Sequence, residues 1–195
     1  MLKIECDLDA TLVDIYTPAE KFIKMEGYEH FKFSNVRTYE GKHSGIGCPR
    51  VVRLKWLLEP KIYSTAKLYD GAYEFVDKIT SYKDVDFTIN SKTPEKCRKA
   101  KQNFLDRTFP KKSNFHTIID TSDGVKRMLD VDILIEDCLD NLLRSTANTK
   151  ILINRSHNDI KYNGKYKELF KELYCVDDCM QAFNVIKSIY PEYIK

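Results

Sequence analysis

The sequence predicts an α/β fold: a parallel sheet flanked by helices, with a small all-helical segment inserted after the first strand. Three observations carry that expectation. From residue 71 onward, short apolar runs rich in Val, Ile and Phe alternate with helical runs, the pattern of parallel strands joined by crossover helices. Residues 15–70 carry helical and loop signals only. Finally, the 195 residues are 43% hydrophobic and 12% aromatic, enough to fill one core.

Taken in order, Leu2–Cys6 is the first strand, with Ile4 and Cys6 apolar. Pro18–Met25 is helical, with Pro near its first turn. Residues 31–48 hold three glycines and read as loop. Pro49–Leu58 places Val51, Val52, Leu54, Leu57 and Leu58 at helical spacing and is closed by Pro60. Gly71–Tyr82 repeats the pattern through Ala72, Phe75, Val76 and Ile79. Val85–Ile89 is a strand, Pro94–Phe104 a basic helix, Phe115–Ile119 a strand and Gly124–Leu129 a short helix. Asp132–Ile135 is a strand, Leu139–Ser145 a helix and Lys150–Ile153 a strand. Tyr166–Leu173 and Met180–Ile189 supply the last helices. The expected division is a core of residues 1–14 and 67–195, with a helical cap over 15–66.

Thirty-two Lys and Arg against 29 Asp and Glu leave a net charge of +3. That balance gives no argument for a membrane or a stable nucleic-acid complex, and no apolar run reaches the roughly 20 residues of a membrane span. The amino terminus is too short and too charged for a secretory leader. The six cysteines (6, 48, 97, 138, 175 and 179) are therefore expected as reduced thiols in a cytoplasm. Cys175 and Cys179 lack the second Cys or His pair that a metal site needs.

Ligands of open parallel sheets sit at the carboxyl ends of the strands. There the sequence places Asp7 and Asp9, then Asn90 and Ser91, then Glu136 and Asp137, then Asn154 and Arg155. Two carboxylates at i and i+2 on a strand end lean to one side, and they repel without a cation. With a second acidic pair on a neighbouring strand, the natural tenant is Mg²⁺, a hard ion that takes oxygen ligands.

Asp7-Leu-Asp-Ala-Thr-Leu12 resembles the DxDx(T/V) signature of the haloacid dehalogenase (HAD) superfamily of phosphatases, and further signatures follow in order. Asn90 or Ser91 stands where that family has a phosphate-binding Ser or Thr, and alignment with the family's Thr-Ser favours Asn90. Lys126 stands for its charge-offsetting lysine, and Glu136-Asp137 for its acidic pair. Within the superfamily the spacing is similar to the 5'(3')-deoxyribonucleotidases, whose lysine likewise lies 10 residues before the acids. The resemblance implies a Rossmann-like HAD core with a helical cap and an Mg²⁺-dependent phosphomonoesterase. Asp7 would be its nucleophile and Asp9 its acid and base. Mg²⁺ would be held by Asp7, the backbone carbonyl of Asp9 and Asp137, with Glu136 outside that set. The implied substrate is a deoxynucleoside monophosphate, and a homodimer is left open.

Three departures from the family pattern stand out: Ala10 for Gly, Asn90 for Thr, and Cys138-Leu139 for Arg-Pro. Other readings stay beside the leading one: another small phosphomonoester, a polynucleotide 3'-phosphate, or a nucleotide-binding protein without catalysis. The basic helix, including Lys101, could steer an anion but reads better as a solvated face. His157 could line the site or lie on the surface. Phe33, Tyr39 and Trp56 could stack on a base, though cap packing suits Trp56 better, and Ile15 sits where the cap begins.

Overall fold

The computed structural model describes residues 1–39, 41, 46–159 and 161–195. Six parallel strands form one sheet: β1 (Leu2–Cys6), β4 (Val85–Lys92), β5 (Phe115–Asp120), β6 (Ile133–Glu136), β7 (Thr149–Ile153) and β8 (Tyr174–Val176), in the order β5-β4-β1-β6-β7-β8. Two short strands, β2 (Val13–Asp14) and β3 (Lys67–Leu68), pair antiparallel as a separate ribbon. The helices are α1 (Tyr16–Met25), α2 (Arg50–Leu57), α3 (Ile62–Thr65), α4 (Ala72–Ile79), α5 (Glu95–Thr108), α6 (Leu139–Arg144) and α7 (Cys179–Ile189). This is the expected α/β class. None of the described helices is long and apolar enough to cross a membrane, and all six cysteines are free.

Alternation along the strands explains how both sheet faces are used. Ile4, Phe87, Ile133 and Ile151 join the larger core with Phe75 and Val76 of α4 and Phe183 and Ile186 of α7. Leu134 and Leu152 point the other way, into a second cluster with Leu139 and Leu142 of α6. Glu5 pairs in register with Thr88 on one side and Leu134 on the other. Glu5, Asn90 and Glu136 therefore share one face, and all three are buried.

Several sequence expectations are corrected. Gly124–Leu129 is not helical; Gly124 takes φ +87°, outside the helical region. Tyr166–Leu173 is not one α-helix. Its buried residues Tyr166 and Leu169 are spaced by three, and the chain answers with 3₁₀ turns at Gly164–Tyr166 and Leu169–Lys171. Three elements have no sequence signal: the β2–β3 ribbon, α3, and β8, which buries only Val176. Of the stretch read as loop, Phe33–Asn35 forms a 3₁₀ turn, while residues 40 and 42–45 lie outside the described residues.

Candidate active site

Beyond β4 and β5 the chain crosses back to β6 on the other side of β1. The carboxyl ends of β1 and β6 thus flank the point where the sheet reverses its winding, the usual ligand crevice of such folds. Asp7 follows β1 directly, and its N–H donates to the Ile135 carbonyl at 2.9 Å. The turn after it is tight: the Ala10 N–H donates to the Val13 carbonyl at 2.9 Å, with Ala10 at φ +62°. Arg155, stacked 3.9 Å over the Tyr69 ring, donates to the Ala10 and Thr11 carbonyls at 2.6 and 3.2 Å and holds that turn.

Lys126 lies between the two acidic strand ends, 2.7 Å from Asp7 Oδ1 and 2.8 Å from Glu136 Oε1. Burial works against its charge, but the Asp7 and Glu136 carboxylates outweigh burial and hold its pKa well above the ordinary value. Burial also pushes the Asp7 carboxyl well above the usual range. Lys126 opposes that shift, and the nearby Glu136, Asp137 and Asp9 reinforce it.

Asp7, Glu136 and Asp137 each place a carboxylate oxygen within 4.8 Å of the others, so they could hold a metal ion. Three carboxylates against one ammonium leave this corner short of positive charge. Glu136 is the least available ligand. Its Oε2 accepts the Asp137 and Cys138 N–H groups at 3.1 and 2.9 Å, and its Oε1 accepts Lys126 and Asn141. Asp137 is held by the Thr11 hydroxyl at 3.3 Å and by His157 Nε2, 3.1 Å from its Oδ2. His157 is buried, and its Nδ1 meets the Tyr16 hydroxyl at 3.2 Å.

The two residues at the end of β4 part company because successive side chains of a strand face opposite ways. The Asn90 amide donates to Glu5 Oε1 at 2.7 Å and to the Arg127 carbonyl at 2.8 Å, and it does not line the cavity. Ser91 does line it. Asp9 turns its carboxylate away from the acidic cluster. The Tyr63 hydroxyl donates to it at 2.8 and 2.9 Å, and Lys101 Nζ at 2.6 Å.

Sequence reasoning misses both Tyr63 and Lys101. Lys101 is legible as the one charged position on the buried side of α5, with Cys97, Phe104 and Leu105. Tyr63 gives no comparable signal.

These groups open on one cavity of about 1180 Å³. Ile15, Tyr16, Phe33, Tyr39 and His157 line it, as do Arg50 and Arg53 of α2. Trp56 stacks on Phe22 at 4.8 Å and is packing instead.

No family model matches the chain, and no curated protein matches it either. Solved structures do. The chain superposes on a haloacid dehalogenase-like hydrolase from Streptococcus pneumoniae with a TM-score of 0.53 at 13% identity, covering 95% of this chain and 98% of that one. A hydrolase from Pseudomonas syringae gives 0.55 at 13%, covering 97% and 99%. A Thermotoga maritima protein assigned as a beta-phosphoglucomutase gives 0.59 at 16%, covering 97% and 100%. Sheet and site together define an α/β protein with an acidic crevice at the switch point of its sheet. In particular, the fold is that of the haloacid dehalogenase-like hydrolases.

Proposed function

We propose that the chain is an Mg²⁺-dependent phosphomonoesterase acting on a nucleoside monophosphate, in the manner of the 5'(3')-deoxyribonucleotidases. The observation that carries the reading is the buried set Asp7, Lys126, Glu136 and Asp137, joined across two strand ends and open to a cavity large enough for a nucleotide. The donor set suits a hard divalent cation. Asp7, Asp137 and the Asp9 carbonyl would hold Mg²⁺, which when bound supplies charge neutralisation for the phosphate and the acids.

An Asp7 carboxylate oxygen attacks phosphorus, and the bond to the sugar oxygen breaks as Asp9 gives that oxygen its proton. Asp9 then takes a proton from the water that cleaves the aspartyl-phosphate. Lys126 and the Ser91 hydroxyl hold phosphoryl oxygens, where charge spreads in the transition state. Asn90 supports Glu5 behind the site. Helices α1–α3 form the cap, and Phe33, Tyr16 and Tyr39 offer apolar faces to a base.

A second reading, a small phosphomonoester carrying another anionic group, is favoured by one observation. Arg53 is buried, lines the cavity, and has no hydrogen-bond partner for its Nε among the described residues.

The test is phosphate release from dTMP and dUMP, ribonucleotides and sugar phosphates, with and without Mg²⁺. Turnover should need Mg²⁺ and vanish in Asp7→Asn with folding retained. Undiminished turnover by that variant would overturn the mechanism. Equal, poor turnover of every nucleotide would reject the nucleotide part alone.

A further inference from the structure

α5 reads as a solvated basic helix, yet Lys101 is 0% exposed. A lysine in an apolar interior is costly unless every donor is met. Here all three N–H groups have acceptors: Asp9 Oδ2 at 2.6 Å, Ser91 Oγ at 2.8 Å and the Lys92 carbonyl at 3.3 Å. The Tyr63 ring covers it, with Nζ 5.3 Å from the ring centre. Lys101 does not line the cavity, whereas both side chains it grips do.

The two contacts have different consequences. Ser91 Oγ is occupied as an acceptor, so its own hydrogen is left to donate into the cavity. Asp9 is fixed in direction by one ammonium and one phenol.

We propose that Lys101 is a positioning residue for phosphate-ester hydrolysis, orienting the Asp9 carboxylate and the Ser91 hydroxyl from outside the cavity. The inference rests on the phosphatase reading and adds a residue that no signature of the sequence marks. Lys101 touches neither substrate nor metal in this scheme. In the first half-reaction the Asp7–phosphorus bond forms, the phosphorus–alcohol bond breaks and Asp9 loses its proton to the alcohol. In the second the water–phosphorus bond forms, the bond to Asp7 breaks and Asp9 regains a proton. Lys101 keeps Asp9 aimed through both.

The experiment compares the wild-type protein with Lys101→Met on dTMP and on p-nitrophenyl phosphate, whose leaving group needs no proton. For Lys101→Met, kcat on dTMP should fall by about 100-fold, within the usual range for acid–base assistance, while KM changes far less. With p-nitrophenyl phosphate the variant should release about one equivalent of phenolate in a burst before slow turnover, because only the second half-reaction still needs Asp9. Adding Asp9→Asn to Lys101→Met should cost far less than the product of the two single losses, the remainder being the part that acts through Ser91.

A merely structural lysine would instead slow both substrates in parallel, without a burst and additively with Asp9→Asn, and that result overturns the proposal. So does a variant as fast as wild type. If Lys101→Met does not fold, Lys101→Gln, which keeps a polar head without the charge, takes its place in the same measurements, with the same results expected. A wild-type protein inactive on both esters would refute the phosphatase reading and this inference with it. An active wild type with an unaffected variant would refute the inference alone.

Discussion

Lys126 donates to Asp7 Oδ1 across 2.7 Å, although 119 positions separate the two residues in the chain. The contact joins the end of the first strand to a loop with no regular structure of its own. Replacing Lys126 with Met would leave the Asp7 and Glu136 carboxylates buried without their cation. Stability near neutral pH should fall by about 3 kcal/mol. The loss should shrink in acid, because the burial-raised Asp7 carboxyl takes a proton and no longer needs a partner. Urea unfolding at neutral and mildly acidic pH measures both, and an equal loss at the two would contradict this account.

Asn90 and Ser91 should separate stability from activity. Asn90→Ala removes a donor from buried Glu5 and should cost about 1–3 kcal/mol, with turnover per folded molecule preserved. Ser91→Ala should instead lower kcat/KM about tenfold for loss of one hydrogen bond to the phosphoryl group, with a smaller stability cost because buried Lys101 loses an acceptor. Thermal unfolding alongside kinetics on both variants decides whether Ser91 carries the phosphate contact.

Asp120 ends β5 and anchors the loop that brings Lys126 inward. The Ser122 hydroxyl and then its backbone N–H hold the Asp120 pKa down at about 2, with smaller help from the Arg127 N–H and Lys92. A depressed acid stabilises the fold above its unfolded pKa of about 3.9, and that contribution is lost as pH falls through its folded value. Asp120→Asn should therefore destabilise by about 1–2 kcal/mol at neutral pH and by almost nothing near pH 2. Denaturation followed across that range checks it; a pH-independent difference would contradict the assignment.

Ala10 is the sole non-glycine with positive φ among the described residues. Glycine relieves that strain but loosens the unfolded chain, so Ala10→Gly should change stability by less than about 1 kcal/mol. Ala10→Val, β-branched in the left-handed region, should destabilise by about 2 kcal/mol or more. Chemical denaturation of the pair provides the comparison, and a tolerated valine would show that the turn relaxes.

Much of this architecture is legible in the sequence for identifiable reasons. β6 and β7 leave near-continuous apolar runs and β1 and β4 alternate apolar with polar residues, so all four stand out, and the polar residues at their ends follow. The elements without a signal are too short to leave a period: β2 and β3 have two residues each and α3 four, while β8 has three and exposes Tyr174 and Cys175. Lys101 is hidden as long as charge composition is weighed above helical phase. The choice between Asn90 and Ser91 turns on strand parity, which is fixed only by the partner register of Glu5 with Thr88. Lys126 stands out by its spacing from the acids, while the helix expected around it is a loop.

The β2–β3 ribbon sets Asp14 opposite Lys67. The segment between them therefore departs and returns at neighbouring points, and no strand of the main sheet depends on its length. Such a stretch can be shortened, lengthened or exchanged for another while the register beneath it stays as it was. Such change is limited at Tyr63, whose hydroxyl reaches from this segment to the Asp9 carboxylate, so residues 15–66 and the strand ends are not independent.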